Sequence, residues 1–470
     1  MRAITQRTRL GTKLFCGLCL LNPWNSFGQA TPASSAQPLT IETAVAQALS
    51  RYPSIRISEA DVRNAAAAIQ LARTAYLPEL NAVAGVNRAT RNNVMGLLLP
   101  SQIIAPISGP VLGTNGLGSA WGSTVGLLVS WEPFDFGLRQ ANVSLAEAGR
   151  ARAEASVGRT KLDVATVVAD TVLTVFAGEQ TVVAAQAAVE RAKELQRITD
   201  ALVKAELRPG AESSLARAEQ AAAQAQMIRA RQAVSEAKAT LAALLGAEPS
   251  ALSLVAGRLL TAPGPPPGEG GLASNPLARE QDAAVNESRA RLRVLERSYF
   301  PRFSMQGTTY ARGTGAEADG RLLGGVNGLG PNIQNWALGF TASFPVFELP
   351  AIRARRVAEN ARLDAERGRY EQVLLDLKAR RDRALASYEG AQEVAQTTPI
   401  AVDAARTAVE QARARYQSGL GTALEVADAQ RRLAQTEIDD SLARLDIWRA
   451  RLAVFAAEGD IAPLLREASQ

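Results

Sequence analysis

Residue types restrict the chemistry open to this chain before any element is drawn. Its 470 residues include no histidine, and its two cysteines, Cys16 and Cys19, lie within the first 30 positions. Histidine triads, histidine metal sites and histidine general bases are therefore excluded, so an enzyme would have to rely on carboxylate, lysine or tyrosine chemistry. No pocket-like cluster of carboxylates stands outside the helical stretches. Four methionines and no histidine also argue against a dedicated Cu(I) relay. The glycine-rich GGVNGLG at 324–330 lacks the spacing of a dinucleotide loop and is not wedged between a buried strand and a helix, which argues against phosphate binding. The expectation is a protein without cofactor or metal, and not an enzyme.

The N-terminus carries Arg2, Arg7, Arg9 and Lys13, an apolar run from Leu14 to Leu21, and Gly28 and Ala30 around Gln29. This order reads as a secretory signal over residues 1–30, cleaved after Ala30. The apolar run is shorter than the roughly 20 residues a spanning helix needs. Phe15 and Leu18 precede the two cysteines where a lipid-attachment site would want a small residue. Cleavage removes both cysteines and four positive charges with no acidic one, taking the net charge from +6 to +2. A nearly neutral mature chain has no basic stripe for nucleic acid.

The elements that position the remaining residues come in two copies. Thr124 to Gly149 reads as an alternating strand, with Val125, Leu127, Val129 and Trp131 on one face, running into a long helical stretch that meets no proline until Pro209. Such a helix would be about 100 Å long. The unit returns about 213 residues later, with Trp336, Leu338, Phe340 and Phe344 on the equivalent face. The earlier segments match too, Tyr76 and Pro78 answering to Tyr299 and Pro301, and NGLG occurs before both Trp121 and Trp336. Each half reads helix, strand, loop, strand, long helix. The expected boundaries are a first repeat over 31–256, with strands near 79–90 and 122–134, and a second over 277–470, with strands near 302–312 and 335–347. A Pro/Gly linker, 257–276, joins them.

Apolar positions step by three and four through Val168, Val172 and Val175 and again through Ile438, Leu442 and Leu445, the pattern of a coiled-coil seam. Each long helix turns back on itself, near Glu206–Ser213 and near Tyr416–Asp428, where Gly419 and Gly421 permit a tight reversal. In the loop near residues 90–120, Pro100, Pro106 and Pro110 would break a spanning helix. That loop is expected to be extended and to line or cover a barrel mouth.

Four strands alternating apolar with small or polar residues match a membrane barrel wall. Aromatics gather at both ends, Tyr76, Trp131, Phe134, Phe136, Tyr299, Phe300, Phe344 and Phe347 at one and Trp121, Tyr310 and Trp336 at the other, as membrane interfaces select. Four strands cannot close alone, since small barrels need about eight. The chain must therefore oligomerise if it forms a barrel. The competing reading is a structural coiled-coil envelope protein without a pore.

At this point the residues resemble the TolC-like outer membrane efflux family over nearly the whole mature chain. The resemblance rests on LTIETAVAQAL (39–49), the strand starts YLP and YFP, the strand ends SWEPFDFG and SFPVFELP, and YQSGLGTALEVADAQRRL (416–433). It implies a mixed α and β membrane protein: a homotrimer with a twelve-stranded β-barrel in outer membrane lipid of a Gram-negative bacterium, continued by an α-helical coiled-coil tunnel across the periplasm. It further implies docking to a periplasmic adaptor (membrane fusion) protein and to an inner membrane transporter, an RND pump or an ABC exporter, for efflux or type I secretion. Glu425 and Asp428 look like the family's acidic rings at the periplasmic mouth; at i and i+3 they share a helix face. Leu207, Gly419 and Leu420 become candidates for adaptor contact. The chain departs from the pattern at Gly421, where some members carry a gate-locking arginine, and in a first turn containing Glu206, Pro209 and Gly210.

Overall fold

The computed structural model describes residues 39–90, 117–261, 263–265, 271–317, 319, 321–344 and 346–470. The expected signal segment, most of the first long loop and part of the expected linker lie outside these residues. Helix α1 (Ile41–Arg51) starts at a reciprocal cap: Thr40 Oγ1 accepts from Thr43 N, and Thr40 N donates to Thr43 Oγ1 at 2.8 Å. Pro53, whose missing N–H costs nothing at a first helical turn, opens α2 (Pro53–Thr74). Strand β1 (Glu79–Thr90) follows, then β2 (Ser119–Phe134), α3 (Leu138–Lys204) and α4 (Gly210–Leu245). The second half runs α5 (Pro276–Arg297), β3 (Arg302–Thr314), β4 (Ile333–Ser343), α6 (Leu349–Gln417) and α7 (Ala423–Glu458), with a last short helix α8 (Ala462–Ser469).

The four strands form one antiparallel sheet in the order β1-β2-β3-β4. Strand β4 stops at Ser343 instead of running to 347. Pro345 has no N–H with which to continue a ladder, and Val346–Glu348 form a single 3-10 turn. Phe344 therefore follows the strand instead of lying within it.

At the strand-to-helix junction the ladder bulges between Trp131 and Phe134. The chain then turns through left-handed Phe136 and Gly137. Asp135 fixes this corner by accepting hydrogen bonds from Arg139 N at 2.7 Å, Arg139 Nε at 2.9 Å and Gly137 N at 3.1 Å. Phe134, Phe136, Phe300 and Phe303 pack together there, with Phe134 and Phe136 edge to face at 4.6 Å.

The main core lies where α1, the middle of α3, the ends of α4 and α7, and α8 meet. Val168, Val172, Val175, Leu173, Leu245, Leu445 and Trp448 are sealed from solvent, and Trp448 Nε1 donates to Thr261 O at 2.8 Å. From this core two helical hairpins extend, α3 with α4 and α6 with α7, and α7 packs along α3. Arg191 bridges these two hairpins through Glu437 at 2.8 Å. Glu467 of α8 accepts from Arg451 of α7 at 2.7 Å and from Gly264 N at 3.1 Å. The Arg451 hydrogen bond, stronger than the opposing effect of burial, holds the Glu467 carboxyl below the usual carboxylate range.

Candidate functional site

The sheet has two chemically different faces. Directly opposed residues of an antiparallel pair project to the same side, and the register sets Leu80 beside Val129, Ala82 beside Leu127 and Ala84 beside Val125. On the other flank, Leu127 faces Thr309 and then Trp336, Val129 faces Gly307 and then Leu338, and Trp131 faces Met305 and then Phe340. Seven residues expected to face lipid, Val125, Leu127, Val129, Trp131, Trp336, Leu338 and Phe340, thus share one face, and all are exposed in this chain. Phe344 is exposed too, just beyond the strand. The opposite face carries Asn81, Thr124, Ser130, Thr308, Tyr310, Asn335 and Thr341.

At the far end, each hairpin reverses within a few residues. The first passes through Ala205, Glu206, Leu207 and Arg208 to Pro209; the second through Ser418, Gly419, Leu420 and Gly421 to Thr422. The repeat offset superposes these turns, Glu206 on Gly419 and Leu207 on Leu420. Both Glu206 (φ 63°) and Gly419 (φ 83°) take the left-handed conformation that closes such a reversal. Leu207 and Leu420 are left exposed at the two tips.

The tips are fastened to each other by a residue not singled out from the sequence, Arg208. Its Nη2 donates to Tyr416 O at 3.2 Å and Gly421 O at 3.1 Å, and its guanidinium lies 4.9 Å from the Tyr416 ring centroid. Tyr416 lies in the last turn of α6, where the dipole favours a cation, and its carbonyl also accepts from Gly419 N at 3.1 Å, whereas Gly421 stands in the turn that precedes α7. Tyr416 is 2 % exposed. Its hydroxyl donates to Glu212 Oε2 at 3.0 Å and lies 3.3 Å from Thr199 Oγ1, while Glu212 Oε1 is 3.7 Å from Arg208. Burial, reinforced by the Glu212 carboxylate, pushes the Tyr416 phenol above its ordinary pKa despite the Thr199 contact. One buried tyrosine thus joins α3, α4 and α6.

Glu425 and Asp428 lie one turn apart at the start of α7, both exposed. Each has a cation of its own chain beside it. Arg415 Nε is 3.9 Å from Glu425, and Arg431 pairs with both Asp428 and Glu219, the latter at 3.3 Å. Glu425 also serves the helix start, since Thr422 Oγ1 accepts from Glu425 N at 3.3 Å and the Glu425 carboxylate lies within 3.3 Å of the same hydroxyl. Among the described residues no group of histidine, cysteine, aspartate and glutamate is arranged to hold a metal ion.

The family model for outer membrane efflux proteins matches residues 44–247 and 271–460. Over 447 residues the chain is 25 % identical to the pyoverdine export outer membrane protein OpmQ of Pseudomonas aeruginosa, covering 93 % of this chain and 86 % of that one. Its fold is similar to that of the outer membrane protein VceC of Vibrio cholerae, with a TM-score of 0.70 at 18 % identity, over 89 % of this chain and 96 % of the other. It is also similar to the open state of the MtrE outer membrane channel of Neisseria gonorrhoeae, with a TM-score of 0.67 at 19 % identity, over 92 % and 90 % of the two chains.

Proposed function

This chain belongs to the TolC-like outer membrane efflux protein family, and from that premise we propose that it is the exit duct of a tripartite efflux or type I secretion system, a passive conduit gated at its periplasmic end. Family membership carries an outer membrane position with an extension into the periplasm. The observation that supports the finer reading most is the sheet itself, with one apolar and one polar face and two unpaired edge strands, β1 and β4. Open edges are not tolerated in lipid. The open edges call for closure between copies, and in the homotrimer that the family resemblance implies three four-stranded sheets joined edge to edge make a twelve-stranded barrel. Val125, Leu127, Val129, Trp131, Trp336, Leu338, Phe340 and Phe344 then face lipid, and the hairpins continue the barrel as a periplasmic tunnel.

In this reading residues 1–30 are removed on export, and the halves 31–256 and 277–470 form one body joined by the 257–276 linker. Leu207, Gly419 and Leu420 at the tips contact a periplasmic adaptor, itself coupled to an RND pump or an ABC exporter. Glu425 and Asp428 from three chains form the mouth's acidic rings, tempered by Arg415 and Arg431. Arg208 and Tyr416 hold the mouth closed by tying the hairpins together. A pyoverdine-like cargo is suggested by the pyoverdine export relative.

Single-channel recording of the detergent-extracted protein in a planar bilayer tests this reading. Discrete steps are expected, and replacing Glu425→Gln together with Asp428→Asn should weaken block by multivalent cations. An inserted oligomer whose current and block are both indifferent to that pair would remove the ring assignment.

A further inference from the structure

Between β3 and β4 the chain does not simply loop across. It extends the ladder, Gly315 N donating to Trp121 O at 2.9 Å, and then folds back through a bridge between Ala316 and Leu322, with Leu323 N donating to Gly315 O at 2.7 Å. The returning stretch, Leu322–Asn332, lies against the strand ends with backbone on backbone. A Cβ at Gly313 would come within 2.3 Å of Gly330 O and 2.8 Å of Gly328 O. One at Gly328, whose φ is +94°, would come within 2.2 Å of Trp121 O. Only residues without a Cβ permit this approach.

The side of the sheet on which this stretch lies determines what it can touch. Gly313 opposes Ser123, and the next pairs on that same side are Ala311 with Val125 and Thr309 with Leu127. The returning stretch therefore covers the apolar face, not the polar one that carries Thr308 and Tyr310. Ser123 beneath it is 6 % exposed, whereas Val125 two residues further along the same face is 46 % exposed. The covered pairs belong to β2 and β3, the inner strands of the sheet. Among the side chains this stretch exposes, beside Asn327 and Asn332, are three large apolar ones, Leu322, Leu323 and Val326, the last at 75 %.

We infer that Leu322–Asn332 is a collar folded outward over the rim of the barrel wall, and that its apolar side chains seat in the outer-leaflet lipid around the channel. This rests on the barrel reading, since the face it covers is the one assigned to lipid. The ligand chemistry is that of the acyl–headgroup boundary, where an apolar loop anchored by rigid backbone packing gains by burying its side chains. The collar is continuous with the lipid-facing surface and lies on the side of the sheet away from Thr308 and Tyr310, so it is no lid over the pore.

Val326→Cys, in a mature chain otherwise free of cysteine, provides the test. A polarity-sensitive fluorophore is attached there in the oligomer reconstituted into phosphatidylcholine vesicles, and Leu338→Cys on the barrel face carries the same label in a parallel sample. At both sites emission should be quenched by lipid bearing a shallow nitroxide and spared by aqueous iodide. Lipid quenching at position 338 with iodide quenching at 326 would overturn the collar alone, as would a label at 326 that neither agent reaches. Iodide quenching at both positions would overturn the barrel reading and the collar with it.

Discussion

Arg208→Ala is expected to loosen the periplasmic mouth, and the size of the effect follows from what the guanidinium touches. It donates to the carbonyls of Tyr416, in the last turn of α6, and Gly421, in the turn that follows, and covers the Tyr416 ring at 4.9 Å. Hydrogen bonds to a charged group contribute about 1.5–3 kcal/mol, and a partly desolvated cation–π contact about 1 kcal/mol. The Arg208 side chain keeps 18 % of its surface in solvent, so water replaces part of both, leaving roughly 2 kcal/mol per chain. At 1.4 kcal/mol per decade that is about a 30-fold shift toward detached tips in one subunit. If three subunits release together, the sum is roughly 6 kcal/mol, enough to turn a mostly closed channel into a mostly open one. The assay is the open-state fraction of single channels in a planar bilayer. Arg208→Lys, which keeps the charge but loses the two-pronged donor geometry, should fall between wild type and alanine. Arg197→Ala, which removes an exposed pair with Glu194 one turn away in the same helix, should do nothing. An inserted Arg208→Ala oligomer that opens no more often than wild type would refute the assignment of Arg208 as the tie.

Other expectations follow from the same geometry. Leu338→Lys, on the apolar face between the Trp131 and Trp336 ends of the strands, puts a charge near the bilayer midplane at a cost of about 2–4 kcal/mol and should abolish recovery of oligomer from the outer membrane, whereas Thr308→Lys on the polar face should be recovered normally. Glu467 has its pKa lowered in the fold, chiefly by Arg451, so its stabilisation is complete above the ordinary carboxylate pKa and is lost as pH falls through the depressed folded value. Thermal melts of the wild type should therefore drop on acidification more than those of Glu467→Gln, which should already be destabilised at neutral pH by about 3 kcal/mol because buried Arg451 loses its counter-charge; parallel pH profiles would contradict this. Glu206→Gly relieves a left-handed non-glycine residue and should raise amide protection at the first tip by up to about fivefold, equivalent to about 1 kcal/mol. Unchanged or faster exchange would mean that the turn is not strained.

The strands and long helices were legible because their periods are strong and local. Alternation through Val125–Trp131 and Trp336–Phe340 needs no partner to be recognised, and the register then puts both runs on one face. The end of β4 was legible as well, in Pro345, had the proline outweighed the aromatics after it. The Thr422–Glu425 spacing is that of a helix cap, which gives Glu425 a local role beside the one drawn from the family resemblance. Arg208 was not legible. Its carbonyl partners lie 208 and 213 positions away, and carbonyls leave no mark in the side-chain sequence.

The divergence of the two tips is what gives Arg208 its place. Apart from Glu206 against Gly419, the turns share their reversal and their exposed leucine, yet at the next position the first carries Arg208 and the second Gly421. At Gly421 a Cβ would lie 3.2 Å from Arg415 Cβ and 3.3 Å from a Glu425 carboxylate oxygen, tighter than van der Waals packing allows without a shift of Arg415. An arginine there would compete with Arg415 for Glu425, while the Gly421 carbonyl would still want a donor, the Tyr416 carbonyl having one in Gly419 N. Supplying the cation from the other hairpin gives the Gly421 carbonyl its donor and makes that hydrogen bond depend on the two hairpins staying together. A cap supplied from within the second hairpin would travel with it when the mouth opens and would oppose nothing. If the proposed gate opens by parting the hairpins, the Arg208 contact is broken by that movement itself, and its energy then acts as a barrier to opening.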